Sequence, residues 1–213
     1  MTYKALILDF DGTIADTQQS ILHTMKFVAD SFNIKEIDET LIKSLIGLPL
    51  KTTFEKAFAL DENSIQQATI MYRKHYNEIA IDTISLFENV KNTLGDFYRQ
   101  GIQLNVASSK GKEALTKILK KHQVYELFSF VGGEEDVKAK KPSPEIVNLI
   151  MSRHNYDSKE CLVIGDTVFD IEMGQRTNVD TCGVTYGNNT REELQRQRPN
   201  YIIDDFSNLL DIV

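Results

Sequence analysis

The chain has two cysteines in 213 residues, too few to make a metal site by themselves. Cys161 and Cys182 both fall in apolar, strand-like runs, where a free cysteine behaves as a small buried hydrophobe, so both are expected to be reduced and chemically silent. Positive charge is also scarce: the formal net charge is −7 and no dense Lys/Arg block interrupts the acidic balance. That excludes a broad surface for a phosphate backbone or an anionic membrane, and any anionic substrate must be attracted locally. Nowhere do eighteen apolar residues follow one another, and no early run joins a basic start to a long apolar stretch and a small-residue cleavage site. No membrane partner and a cytoplasmic location are therefore expected. The 11 phenylalanines and eight tyrosines scatter through helical patterns instead of gathering on a strand face, so no nucleic-acid partner is expected either. There is no internal repeat and no low-complexity tract.

What is present begins at the N-terminus. Lys4-Ala5-Leu6-Ile7-Leu8 reads as a buried strand and breaks into Asp9-Phe10-Asp11-Gly12-Thr13. Two carboxylates two residues apart at the end of such a strand lie where open α/β folds bind ligands, with Gly12 permitting a sharp exit. A solvated Asp-Gly turn would explain Asp11 and leave Asp9 unexplained.

From Thr13 onward the pattern is helical for about seventy residues, with apolar positions at three- and four-residue spacing over 16–32, 38–45, 51–58 and 62–79 and no convincing strand between them. Helices and strands then alternate: helices over 88–99, 112–122, 144–154, 169–176 and 191–197, and strands over 103–107, 128–131, 161–164, 180–184 and 201–203. The alternation predicts an α/β fold with a doubly wound parallel sheet. The helical block is expected to form a separate lobe over the sheet's C-terminal edge, as a lid above the aspartates. The expected division is a core of residues 1–14 and 86–213 and an inserted helical cap of 15–85. A composition of 41% hydrophobic residues suffices for one core with such an insertion.

Three further signals fall where the same edge would collect them. Val106-Ala107-Ser108-Ser109-Lys110 ends a strand in hydroxyls and a lysine, although serines at strand ends commonly satisfy local backbone groups. Lys138-Ala139-Lys140-Lys141-Pro142 is a basic run just before a helix. Leu162-Val163-Ile164-Gly165-Asp166 ejects another acid from an apolar strand, with Asp170 one helical turn further on.

In this order the four motifs resemble the haloacid dehalogenase superfamily over nearly the whole chain. The branch it looks like carries a helical cap after the first motif, as in phosphoglycolate phosphatases and the related beta-phosphoglucomutases, and Ile46-Gly47-Leu48-Pro49-Leu50 is similar to that cap. The resemblance implies a Rossmann-like core and a Mg²⁺-dependent phosphohydrolase of a small phosphorylated metabolite. It makes Asp9 the nucleophile and Asp11 the general acid/base, gives phosphate contacts to Gly12, Thr13, Ser108, Ser109 and Lys141, and assigns Mg²⁺ to Asp9, Asp11, Asp166 and Asp170. The chemistry agrees with the residue types. An attacking carboxylate splits one displacement into two, and four clustered aspartates with a single lysine would repel phosphate without a hard divalent cation.

Asp11 points to phosphate-ester or anhydride chemistry, since dehalogenases carry tyrosine at that position. Mutases place a histidine and an arginine where this chain has Ile21 and Leu50, which favours hydrolysis. Phosphoglycolate, pyrophosphate, sugar phosphates and nucleoside monophosphates remain open as substrates, as does a non-catalytic regulatory role on the same scaffold. Monomer and homodimer are equally compatible with the sequence. The segment Leu86-Phe87-Glu88-Asn89-Val90 departs from the proline-glycine turn of the relatives, so the hinge is expected to differ. Lys51 beside Gly47 is either an exposed helix-start lysine or a substrate contact, and Arg73, Lys74 and His75 are either a solvated face or a substrate patch.

Overall fold

The computed structural model describes residues 3–213. The first strand, β1 (Ala5–Leu8), is followed by the short β2 (Ala15–Asp16) and four helices, α1 (Gln18–Ser31), α2 (Glu39–Ser44), α3 (Leu50–Phe58) and α4 (Glu62–Ile79). The chain returns through β3 (Ser85–Leu86) and α5 (Val90–Arg99) to β4 (Gln103–Ala107). It then alternates through α6 (Lys112–Lys121), β5 (Phe128–Gly132), α7 (Glu145–His154), β6 (Cys161–Gly165), α8 (Val168–Gln175), β7 (Asp180–Val184), α9 (Arg191–Arg196) and β8 (Tyr201–Ile203). Local chemistry sets several of the boundaries. Asp38 accepts a hydrogen bond from Leu41 N to start α2, Thr190 and Glu193 form a reciprocal cap on α9, and α7 ends at Asn155 in the left-handed conformation.

Six strands form one parallel sheet in the order β5-β4-β1-β6-β7-β8, the doubly wound arrangement that the alternation predicts. Every residue of β1 and of β6 is buried, as expected of central strands covered on both faces. Alternate residues serve two cores. Leu6, Leu8, Leu104, Val106, Leu162 and Ile164 pack on one face with α5 and α6, while Ala5, Ile7, Cys161 and Val163 pack on the other with Ile146, Ile150 and Met173. The first cluster continues into the helical segment through Leu22, Met25, Phe54 and Tyr72, so those helices share a core with one face of the sheet. Both cysteines are free and buried, in agreement with the sequence reading.

One feature bounds the helical block, which no strand interrupts, and moves the start of its first helix on from the expected residue 16. β2 and β3 pair antiparallel, Ala15 opposite Leu86 and Asp16 opposite Ser85, and Phe87 N donates to Ile14 O at 3.2 Å. This two-strand ribbon carries the chain into and out of the helices, and α1 starts at Gln18 because Ala15 and Asp16 are extended. Strands of two residues leave no periodicity to read. The missing proline-glycine turn is replaced at Asn89, which adopts φ +63° and whose amide donates to both carboxylate oxygens of Asp205 at 2.9 and 3.2 Å.

Candidate active site

Three adjacent strands deliver the site. Leu8 is in register with Val106 of β4 and Ile164 of β6, so the residues leaving the C-terminal ends of these strands emerge side by side. They are Asp9, Ser108 and Asp166. Asp9 N extends the ladder by donating to Ile164 O at 2.9 Å, which fixes the backbone carrying the first carboxylate. Helix α8 begins just after Asp166, and its first turn returns Asp170 to the same place through hydrogen bonds from Thr167 N (3.0 Å) and Thr167 Oγ1 (2.6 Å) to Asp170 Oδ2.

Lys141 joins the acids. Its buried ammonium donates to Asp9 Oδ1, and to Asp170 Oδ1 at 2.7 Å. Asp166 is held from three directions: Thr13 Oγ1 donates to Oδ1 at 3.1 Å, while Asn188 N and Nδ2 both donate to Oδ2 at 2.7 Å. Asp9, Asp166 and Asp170 each offer an oxygen within 4.8 Å of the others. Asp9 Oδ2 is buried without a hydrogen-bond partner.

The electrostatics of this cluster call for more positive charge than the protein supplies. Burial, assisted by Asp170, Asp166 and Asp11, holds Asp9 well above the usual carboxylate range even against the pull of Lys141. Burial and the neighbouring Asp170 push Asp166 up to about 7, despite the hydrogen bonds from Asn188 and Thr13. For Lys141, burial alone would lower the value, but attraction to Asp170 and Asp9 and the hydrogen bonds to both outweigh it, so its ammonium is held charged. Three buried carboxylates, an oxygen with no partner and one lysine make a donor set suited to a hard divalent cation.

Asp11 and Asp9 both line a cleft of about 190 Å³ between the strand ends and the overlying helices. Lys110 Nζ lies 3.1 Å from Asp11 Oδ1, although its approach leaves that oxygen without a directed hydrogen bond. The same ammonium sits 4.1 Å from the ring centre of Tyr76, which stacks on Tyr72. The helices are drawn down on the strand ends: Ser109 Oγ donates to Gly47 O at 2.7 Å, and Arg73 pairs with Glu134 at the mouth.

Every site residue expected from the sequence is thus in one region, with a division of labour the sequence does not disclose. Asp9, Asp166, Asp170 and Lys141 form one buried cluster, and Asp9, Asp11 and Ser108 line the cleft. The hydroxyl of Thr13 is spent on Asp166 and that of Ser109 on the Gly47 carbonyl. Gly12 passes beneath Asp166 with φ +91°. Lys51 points away, exposed and 2.8 Å from Glu62. Arg73, Lys74 and His75 separate onto different faces, as successive helical residues must: Arg73 is at the cleft mouth, Lys74 is exposed, and His75 is buried against Phe27 with ring centres 4.0 Å apart.

Sequence reasoning missed Lys110, Tyr76 and Asn188. Lys110 was in view as the last residue of Ser-Ser-Lys. Asn188 sends no signal at all, being a neutral amide in a loop that meets Asp166 across 22 positions.

Comparisons with known proteins bear on the same residues. Residues 6–184 match the model of the haloacid dehalogenase-like hydrolase family, a span that contains every member of the cluster. The chain is 28% identical over 213 residues to a protein named pyrophosphatase PpaX from Oceanobacillus iheyensis, covering 100% of this chain and 98% of that one. It is 25% identical to a phosphoglycolate phosphatase from Aliivibrio fischeri, covering 99% and 96%. Among solved structures, a haloacid dehalogenase-like protein from Bacteroides fragilis superposes with a TM-score of 0.94 at 28% identity, covering 98% of this chain and 100% of that one. Fold, strand-end carboxylates and family match agree, and the chain belongs to the haloacid dehalogenase-like hydrolases.

Proposed function

We propose that this chain is a metal-dependent phosphohydrolase that acts on a small phosphorylated metabolite through a phosphorylated aspartate. The observation carrying this reading is the placing of the two N-terminal acids on one cleft: Asp9 is tied to Lys141 in the buried cluster with one oxygen unpartnered, and Asp11 lines the same cleft beside it. Residues 15–85 act as the cap, and 1–14 with 86–213 as the core that holds the chemistry.

In the first step an oxygen of Asp9 attacks phosphorus, the bond from phosphorus to the leaving oxygen breaks, and Asp11 passes its proton to that oxygen. In the second, water attacks the same phosphorus and gives its proton to Asp11. The aspartyl bond breaks, phosphate leaves, and both acids return to their starting states. Lys141 and the Ser108 hydroxyl are placed to hold the transferring phosphoryl group. Asp9, Asp166 and Asp170, with Asp11 adjoining, would hold Mg²⁺, which when bound neutralises phosphate charge and keeps these carboxylates ionised. Thr13 and Asn188 hold Asp166 in place for that role.

Hydrolysis is favoured over mutase-type transfer because Ile21 and Leu50, where mutases carry a histidine and an arginine, both line the cleft and supply only apolar surface. The relatives named above make pyrophosphate and phosphoglycolate the first compounds to assay.

The test is phosphate release from a panel of phosphate esters and pyrophosphate, with Mg²⁺ and with chelator. Asp9→Asn should lower release by at least about 10³-fold while its circular dichroism stays that of the wild type. Full activity in Asp9→Asn, or in chelator, would overturn the mechanism. A folded wild type that releases no phosphate would move weight to a non-catalytic role.

A further inference from the structure

Resting on the phosphohydrolase reading above, we infer that the leaving group this enzyme is built to accept is uncharged and largely apolar, so that its substrate class is the phosphate monoesters of apolar alcohols and not compounds with a second anionic group. The juxtaposition behind this is an apolar cleft wall beside Asp11 on a lining whose two cations among the described residues, Arg73 and Lys110, each already face an acidic residue.

The wall is formed by Met25, Ile42, Leu45, Ile46, Leu48 and Leu50. A carboxylate or second phosphate placed against it would lose its hydration with nothing in exchange. Among the described residues, the cations near the cleft are committed elsewhere. Lys110 sits over the Tyr76 ring 3.1 Å from Asp11, Arg73 is paired with Glu134, Lys141 lies within the aspartate cluster, and Lys51 is turned outward to Glu62. Glu113, paired with Lys117, and Glu135 line the same cleft as well, so its lining has no net positive charge to offer an additional anion.

The unfilled polar demand of the cleft points the same way. Apart from oxygens of Asp9 and Asp11, the buried polar atom on its lining that lacks a hydrogen-bond partner is the Tyr76 hydroxyl. Burial, with the nearby Asp11 charge, keeps that phenol protonated. A neutral hydroxyl suits one oxygen on an otherwise apolar group; it does not make an anion site. The cleft volume of about 190 Å³ leaves room for a leaving group of several heavy atoms.

The experiment measures kcat/KM with Mg²⁺ for ethyl, butyl and hexyl phosphate, whose leaving alcohols are chemically alike, beside 2-phosphoglycolate and pyrophosphate. Each methylene buried on the wall should raise kcat/KM about fourfold, so that hexyl phosphate exceeds butyl phosphate by about 16-fold. Phosphoglycolate and pyrophosphate should fall at least about tenfold below hexyl phosphate. Leu48→Arg, in a half-buried loop position, should move the ratio of phosphoglycolate to hexyl phosphate upward by about tenfold or more. A flat or falling alkyl series, or either anionic compound outperforming hexyl phosphate, would overturn the inference and leave the phosphohydrolase reading standing. Should Leu48→Arg not fold, the wild-type series decides alone. Release from none of the compounds would overturn that reading and this inference together.

Discussion

At position 12 a single added methyl would lie 2.2 Å from Asp166 Oδ2 and 2.5 Å from the Asn188 amide, on a backbone already at φ +91°. Gly12→Ala should therefore destabilise the fold by about 2–4 kcal/mol, combining a left-handed backbone with a clash against a fixed carboxylate. Urea unfolding measures it, and a loss below about 0.5 kcal/mol would mean that Asp166 is free to move. Asn188 acts on the same carboxylate oxygen. Asn188→Ala removes its side-chain hydrogen bond to Asp166 and should weaken Mg²⁺ binding by about 10- to 100-fold, read from the Mg²⁺ dependence of the melting temperature. Unchanged affinity would remove Asn188 from the site. Asp9, Asp11, Lys141 and Asp166 were legible in the sequence because charged residues stand out where apolar strands end or beside a proline. Asn188 and Lys110 were not, because their importance is a matter of which carboxylate they meet.

At the level of elements, the strands over 103–107, 180–184 and 201–203 coincide with the sequence reading, since apolar runs bounded by turns carry their own signal. The β2–β3 ribbon does not, and Asn89 beside it stands where the family the chain resembles has a proline-glycine turn. Asn89→Ala should cost about 1–2 kcal/mol, because alanine lacks the asparagine's tolerance of φ +63° and the hydrogen bonds to Asp205 are lost. Asn89→Gly keeps the backbone and should lose less; equal losses in the two variants would place the effect in the Asp205 contact alone. The helices were legible to within a few residues, but the direction of their polar residues was not. His75, on the same α4 as the exposed Lys74, is buried because α1 places Phe27 and His23 beside it, with His23 and His75 ring centres 5.5 Å apart.

For the molecule as a whole, the acid cluster couples stability to both metal and pH. Asp166, pushed up to about 7, binds more protons folded than unfolded between its ordinary 3.8 and that value. Its contribution therefore favours the metal-free fold increasingly as pH falls through 7, and is lost as pH rises. A cation needs the same carboxylate ionised, so Mg²⁺ at 100 times its dissociation constant should stabilise by about 2.7 kcal/mol at pH 8, and by up to about 1.4 kcal/mol less for each pH unit below 7. Melting curves with and without Mg²⁺ at pH 8 and pH 6 test this, and a shift independent of pH would mean that Asp166 does not hold the metal. Among the described residues no helix is long and apolar enough to cross a membrane, as the absence of long apolar runs led one to expect. By itself the sequence determined the alternation of elements, hence the parallel sheet, and the carboxylates at its strand ends, because periodicity and charge contrast are local properties of a chain. Only the tertiary structure decided that Lys141 bridges Asp9 and Asp170, that Lys110 reaches Asp11, and that the wall facing them is apolar with its neighbouring cations paired. Those contacts join side chains brought together by the packing of separate elements, and no pattern in the chain encodes a distance between residues that meet only once it has folded.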